Sequence, residues 1–87
     1  MKFELHRPFK KKFKKFSSKM REKFFVRVDM FLFNPFHPLL NDHELVGKYD
    51  GYRSINITGD FRAIYKFADK DTIVFYDLDN HHNLYGK

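Results

Sequence analysis

Apolar residues recur along the chain with two different periods, and the change of period divides it. Between Pro8 and Asn34 the spacing is helical. Phe9, Phe13 and Phe16 fall at i, i+4 and i+7, one apolar stripe with lysines around it. Pro8 suits the first turn of such a helix, where its missing N–H leaves nothing unsatisfied. Ser17-Ser18 interrupts the stripe and can cap a second helix. Met20, Phe24, Val28, Phe31 and Leu32 share one face of that helix, which stops by Asn34 because Pro35 pushes its predecessor out of the helical region. Two such helices joined by a short link predict an αα-hairpin.

Elsewhere the period is two, so neighbouring side chains point to opposite faces of a strand. Met1 to His6 alternates and predicts a short strand ended by Arg7-Pro8. Pro35 to Asp42 is a turn-rich connector, and His43 leads a further turn. Beyond it Tyr52, Ser54, Asn56 and Thr58 share one face, opposite Arg53, Ile55 and Ile57. The chain reverses at Thr58-Gly59. Phe61, Ala63, Tyr65 and Phe67 then point one way, while Asp60, Arg62, Ile64 and Lys66 point the other. A second reversal at Ala68–Asp71 leads into Thr72–Asp79, a β-branched and aromatic strand, with a tail from Asn80. The prediction is one α+β domain over residues 1–87: an N-terminal strand, an αα-hairpin, then a three-stranded antiparallel meander. A single helical layer covers the apolar face of the sheet, and a polar strip of Ser54, Asn56, Asp60 and Arg62 lies on the other.

Composition sharpens this picture in two ways. With no cysteine, neither a disulfide nor a zinc finger can supplement the core, so twelve Phe and five Tyr must supply it. The absence of Cys fits a cytoplasmic protein, and no apolar run reaches transmembrane length. Charge is unevenly spread. Residues 1–27 hold eleven Lys/Arg against two Glu, a net +9, whereas residues 28–87 hold six basic and nine acidic residues, a net −3. A basic half on a small domain points to a polyanion, nucleic acid or an anionic membrane surface. A solvated helix face is the plainer alternative, and a membrane-surface helix the third.

Several groups suited to proton transfer can gather on the polar face: His43, Asp60, Arg62, His81 and Tyr85. Cleaving RNA through its own 2′-hydroxyl takes a base for that hydroxyl, an acid for the leaving 5′-oxygen, and fixed positive charge for the phosphorane. Imidazoles suit the first two tasks and a guanidinium the third; Tyr85 can stack on a base. Each has a bland alternative. His43 can be a polar turn residue, Asp60 can serve the hairpin turn, Arg62 can pair with a neighbouring acid, and His81 and His82 can be surface residues near a chain end. His37, His43, His81 and His82 match no compact metal-ligand spacing, so no metal or cofactor is expected.

The order of motifs is more specific than any one of them. Asn34-Pro-Phe-His-Pro-Leu-Leu40, His43-Glu-Leu-Val-Gly-Lys48, Gly51-Tyr-Arg-Ser-Ile-Asn-Ile-Thr-Gly-Asp-Phe-Arg-Ala-Ile-Tyr-Lys66 and His81-His-Asn-Leu-Tyr-Gly86 together resemble the RelE/ParE superfamily, in its branch of YafQ-like addiction-module toxins. The resemblance spans nearly the whole chain. It implies a ribosome-dependent endoribonuclease that cuts mRNA in the A site by metal-independent acid/base attack of the 2′-hydroxyl, and that a cognate antitoxin holds inactive. On the family pattern His81 carries over as general acid or base with His43 as its partner, Asp60 orients a histidine or the 2′-hydroxyl, Arg62 neutralises the transition state and Tyr85 positions a base. Asn56 stands where that pattern has a histidine. It can hydrogen-bond the phosphate or sugar but not shuttle a proton, so the resemblance leaves the proton work to His81 and His43. Asp79-Asn80 replaces the usual Gly-Thr and sets an acid beside His81. Phe61, Arg53, Lys10, Lys11 and Lys14 join Tyr85 and Asn56 as expected RNA contacts, the lysines through sequence-independent phosphate contacts with ribosomal RNA. The departures at Asn56 and Asp79 also leave room for a non-catalytic module that binds antitoxin or RNA, and the superfamily includes gyrase-poisoning members of the same fold.

Overall fold

In the computed structural model, which describes residues 1–85, the local signals of the helical hairpin are closely obeyed. The Ser17 hydroxyl accepts a hydrogen bond from the Met20 amide at 3.1 Å, opening α2 (Ser18–Phe33), and Asn34 ends it in an extended conformation before Pro35. Phe24, Val28 and Phe31 are buried along one face of α2. Before it, α1 (Arg7–Phe13) buries Phe9 and Phe13. Phe16 lies past its end, in the link to α2, yet still packs on the core. The Arg21 guanidinium donates to the Lys14 and Phe16 carbonyls and ties that link down. No helix among the described residues is long and apolar enough to cross a membrane.

The helices cover one face of a five-stranded sheet ordered β1-β5-β4-β3-β2. The members are β1 (Lys2–Leu5), β2 (His43–Glu44), β3 (Arg53–Asn56), β4 (Phe61–Asp69) and β5 (Thr72–Asn80). β3, β4 and β5 form the expected meander. Two further strands enlarge it. β1 pairs with β5 in parallel, from Lys2 beside Thr72 to Leu5 beside Phe75, so the sheet is mixed and not purely antiparallel. His43, expected in a turn, instead pairs with Ser54 as part of a two-residue edge strand. Alternation reports which way a side chain points; it does not say which strand lies alongside. The chain end from His81 to Tyr85 coils into α3, burying Leu84.

Between β4 and β5 the register slips. Tyr65 faces Phe75 but Ile64 faces Asp77, leaving Tyr76 as an extra residue. Beyond this bulge Asp77 and Asp79 stand opposite Ile64 and Arg62, on the face away from the helices. The main core lies on the helical side, where Phe9, Phe13, Phe24 and Phe31 meet Ile55, Tyr65, Ile73 and Phe75. A smaller cluster of Leu45, Ile64 and Leu84, edged by Tyr49, Tyr52 and Tyr85, closes part of the opposite face.

Candidate active site

The open face is built around Arg62. Its position on β4 directly opposite Asn56 of β3 turns it away from the helices, and its side chain is only 7% exposed. A guanidinium so enclosed needs acceptors, and β3 supplies them. Nε donates to the Ser54 hydroxyl at 2.9 Å. One terminal nitrogen donates to the same hydroxyl at 2.7 Å and to the Asn41 carbonyl at 3.0 Å. The other donates to the Asn56 side-chain oxygen. Burial lowers the pKa of Arg62, partly offset by neighbouring Tyr85 and Asp42; an arginine still stays protonated. The polar strip is therefore a solvated charge's replacement shell, assembled from protein oxygens.

That shell also fixes His43. Asn41 adopts the left-handed conformation, with φ 44°, which an Asn tolerates better than most residues. Its carbonyl lies 2.9 Å from His43 Nδ1, which in turn lies 3.2 Å from the Arg62 nitrogen. The carbonyl can only accept and the guanidinium only donate. The shorter contact favours Nδ1–H donating to Asn41, a tautomer that leaves Nε2 with its lone pair free.

His81 reaches the same place from the end of β5. It is the first residue of α3, with its amide donating to the Asp60 carbonyl at 3.2 Å and its ring 4.5 Å from that of Tyr85. The Asn80 side chain caps this short helix by accepting from the Asn83 amide at 2.7 Å. His43, His81 and Tyr85, with Glu44, Leu45 and Val46, line one cleft of about 280 Å³. The Tyr85 hydroxyl lies near Arg62 and is buried without a hydrogen-bond partner of good geometry among the described residues.

Asp79, the acid expected beside His81, does not stand free. Lys12 of α1 reaches across to Asp77 at 2.7 Å and Asp79 at 2.8 Å. The Asn83 amide side chain and the Asn80 N–H also donate to Asp79. Burial alone would raise the Asp79 pKa; these partners outweigh it and lower the carboxyl below its ordinary range. Burial likewise works against the charged form of Lys12, and the two carboxylates overcome it, raising its pKa. Nothing in a run of lysines marked Lys12 out. The readable signal was the pair Asp77 and Asp79, two acids at strand spacing in an otherwise apolar β5.

Several other expected site residues lie elsewhere. The Asp60 side chain is exposed on the hairpin turn, and its carboxylate makes no hydrogen bond among the described residues; only its backbone carbonyl touches His81. Phe61 packs on Phe16, ring centroids 6.3 Å apart, on the helical side. Its phase with Ala63 and Tyr65 requires this. Arg53 is on that side too, its Nε 3.2 Å from Asp42. Tyr65 donates to the same carboxylate at 2.7 Å, and burial pushes its hydroxyl pKa well up. Lys10 and Lys11 on α1 and Lys14 just past its end are exposed, outside the cleft. His37 caps the short turn at Pro38–Leu40 by accepting from the Leu39 amide. Of the expected residues, the structure brings together His43, His81, Tyr85, Arg62 and Asn56.

Comparison with known proteins bears on the family and the fold. Residues 1–86 match the family model described as a bacterial toxin of type II toxin-antitoxin system, YafQ. Among solved structures, YafQ from E. coli strain BL21(DE3) is 25% identical, covers 97% of each chain and superposes with a TM-score of 0.77. The YoeB/ParE toxin from Agrobacterium tumefaciens shares the fold at 21% identity, 93% and 99% coverage and a TM-score of 0.74. The RelE–RelB complex from Pyrococcus horikoshii OT3 shares it at 20% identity, 91% and 92% coverage and 0.68. No curated protein matches the sequence. With the family model matched from the first strand through the tyrosine of the cleft, the chain belongs to the YafQ family, the toxins of bacterial type II toxin-antitoxin systems.

Proposed function

We propose that this toxin is an endoribonuclease that cuts mRNA in the ribosomal A site, in the cytoplasm. The observation that carries the reading is one cleft holding two histidines, one from the edge strand β2 and one from the start of α3, beside a buried arginine. His43, with Nε2 free, takes the proton from the 2′-hydroxyl. The 2′-oxygen attacks phosphorus, the bond to the 5′-oxygen breaks, and His81 supplies the proton that the leaving oxygen needs. The products are a 2′,3′-cyclic phosphate and a 5′-hydroxyl. Arg62, spent on protein acceptors, is not a direct phosphate ligand here. It contributes fixed positive charge beneath the cleft and orients His43 through Asn41. Asn56 is likewise engaged by Arg62, which leaves the proton transfers to the two histidines.

Solved relatives include the YoeB–YefM complex from Staphylococcus aureus and the RelE–RelB complex. By analogy this toxin is held by a cognate antitoxin encoded with it. The test is induced expression in a bacterium with primer extension on a reporter mRNA. Wild type arrests growth and leaves in-frame cuts. His81→Ala and His43→Ala lower cleavage by about 10²–10⁴-fold, as loss of a positioned acid or base does, and still bind ribosomes. Arrest without cuts would mean blocking of ribosomes or gyrase instead. Folded variants that fail to bind ribosomes would remove the histidines from the chemistry.

A further inference from the structure

The cleft is one end of a longer feature. From His81 the rings continue across the open face: His81 to Tyr85 at 4.5 Å, Tyr85 to Tyr49 at 6.1 Å, and Tyr49 to Tyr52 at 6.2 Å. Tyr52 then meets Tyr76 at 5.1 Å, and Tyr76 meets His6 at 4.5 Å. The four tyrosines are half-buried and the two histidines exposed, so every residue of the run is at least partly open to solvent. Tyr76 is the bulge residue of β5. Cations flank the run. The Lys66 ammonium lies 5.2 Å from the Tyr52 ring centre and Lys48 lies 5.3 Å from that of Tyr49. The acids nearest the run on β5, Asp77 and Asp79, share Lys12, which offsets one of their two charges.

We propose that this ladder is a track for single-stranded RNA, extending from the scissile position in the cleft across the sheet toward His6. Base–aromatic stacking tolerates any sequence because every base has a flat face, and flanking lysines track the phosphates. The combination of half-exposed rings, two lysines beside them and carboxylates partly offset by Lys12 suits a flexible polyanion whose bases are unpaired. A duplex offers the same phosphates but hides its bases. The proposal rests on the endoribonuclease reading for the direction of the track, while its binding can be measured without cleavage.

The probe is a fluorescent 2′-O-methyl oligoadenylate octamer, which has no free 2′-hydroxyl to be cut, read by anisotropy and compared with the same octamer in duplex. Wild type binds the single strand at least tenfold more tightly than the duplex. Tyr52→Leu and Tyr76→Leu keep apolar bulk and each weaken single-strand binding about tenfold. Lys66→Gln, an exposed change that leaves packing untouched, weakens it severalfold and lowers the salt slope by about one. Lys10→Gln and Lys14→Gln change it little. Wild-type affinity in Tyr52→Leu, Tyr76→Leu and Lys66→Gln overturns the track. So does an effect confined to the α1 lysines, or loss of antitoxin binding with RNA affinity retained. A wild type that binds the octamer through these tyrosines yet never cuts mRNA would leave the track standing and sink the nuclease.

Discussion

Along β4 the side chains alternate between two surroundings. Ala63 and Tyr65 lie under the helices, within a core of phenylalanines from α1 and α2 whose rings meet edge to face. Arg62 and Ile64 lie on the other face. There a small cluster of Leu45, Ile64 and Leu84 adjoins a guanidinium whose partners are a hydroxyl, two carbonyls and an amide. The helical face is held by apolar area, which is additive and undemanding of geometry. The open face is held by polar groups that stabilise only when each finds its partner. Chemistry sits on the second face because charge and hydrogen-bonding groups can be kept there at all.

The sharpest way to test that contrast is to damage each face in turn. Phe24→Ala, at a fully buried position, is expected to cost about 3–5 kcal/mol, a large share of the total stability of a domain this small. Leu84→Ala, in the smaller cluster, is expected to cost less. Urea denaturation of both variants measures the difference, and equal losses would mean the two faces are not the distinct supports described here.

Arg62→Leu breaks the open face specifically. It strands the Ser54 hydroxyl and relaxes the Asn41 carbonyl, costing about 1–3 kcal/mol. It also removes the fixed positive charge beside His43, so cleavage falls together with stability. A variant that loses stability while cutting at the wild-type rate would reduce Arg62 to a structural residue.

The smallest effect concerns the clamp between the faces. Lys12→Ala removes two partly exposed ion pairs and is expected to destabilise by less than about 1 kcal/mol at neutral pH. Because the folded Asp79 pKa is lowered, its contribution is present above the ordinary carboxyl range and fades as pH falls through it. Because the folded Lys12 pKa is raised, its contribution is present at neutral pH and fades only as pH rises beyond the ordinary lysine range. Thermal melts of wild type and Lys12→Ala therefore differ most near neutrality and converge in acid. A gap that persisted at low pH would show that α1 is held by packing and not by this charge pair.

Much of the fold was legible because it is written in short-range terms. The Ser17 cap, the stop before Pro35 and the stripe through Phe24, Val28 and Phe31 need only the local chain, and all three hold. Alternation likewise placed Arg62, Ser54 and Asn56 together and Tyr65 under the helices. Phe61 shows the limit of carrying a role over from a motif: its own phase put it with Ala63 and Tyr65, and it packs there. Asp60 shows another, since a turn residue's carboxylate is free to face solvent and only its backbone is held.

By itself, then, the sequence determined the helical hairpin, the meander, the face on which each strand residue lies and the resemblance that led to the YafQ family. These depend on periodicity, capping and the order of motifs, all of which are properties of neighbours along the chain. Tertiary structure alone decided the parallel pairing of β1 with β5, the edge strand that carries His43, the bulge at Tyr76 and the reach of Lys12 to Asp77 and Asp79. It also decided that the Asn41 carbonyl and His43 would close over Arg62. Each of these depends on which segments come to lie side by side, where the partner is chosen by packing and by the need to satisfy buried charge, and no local pattern specifies that choice.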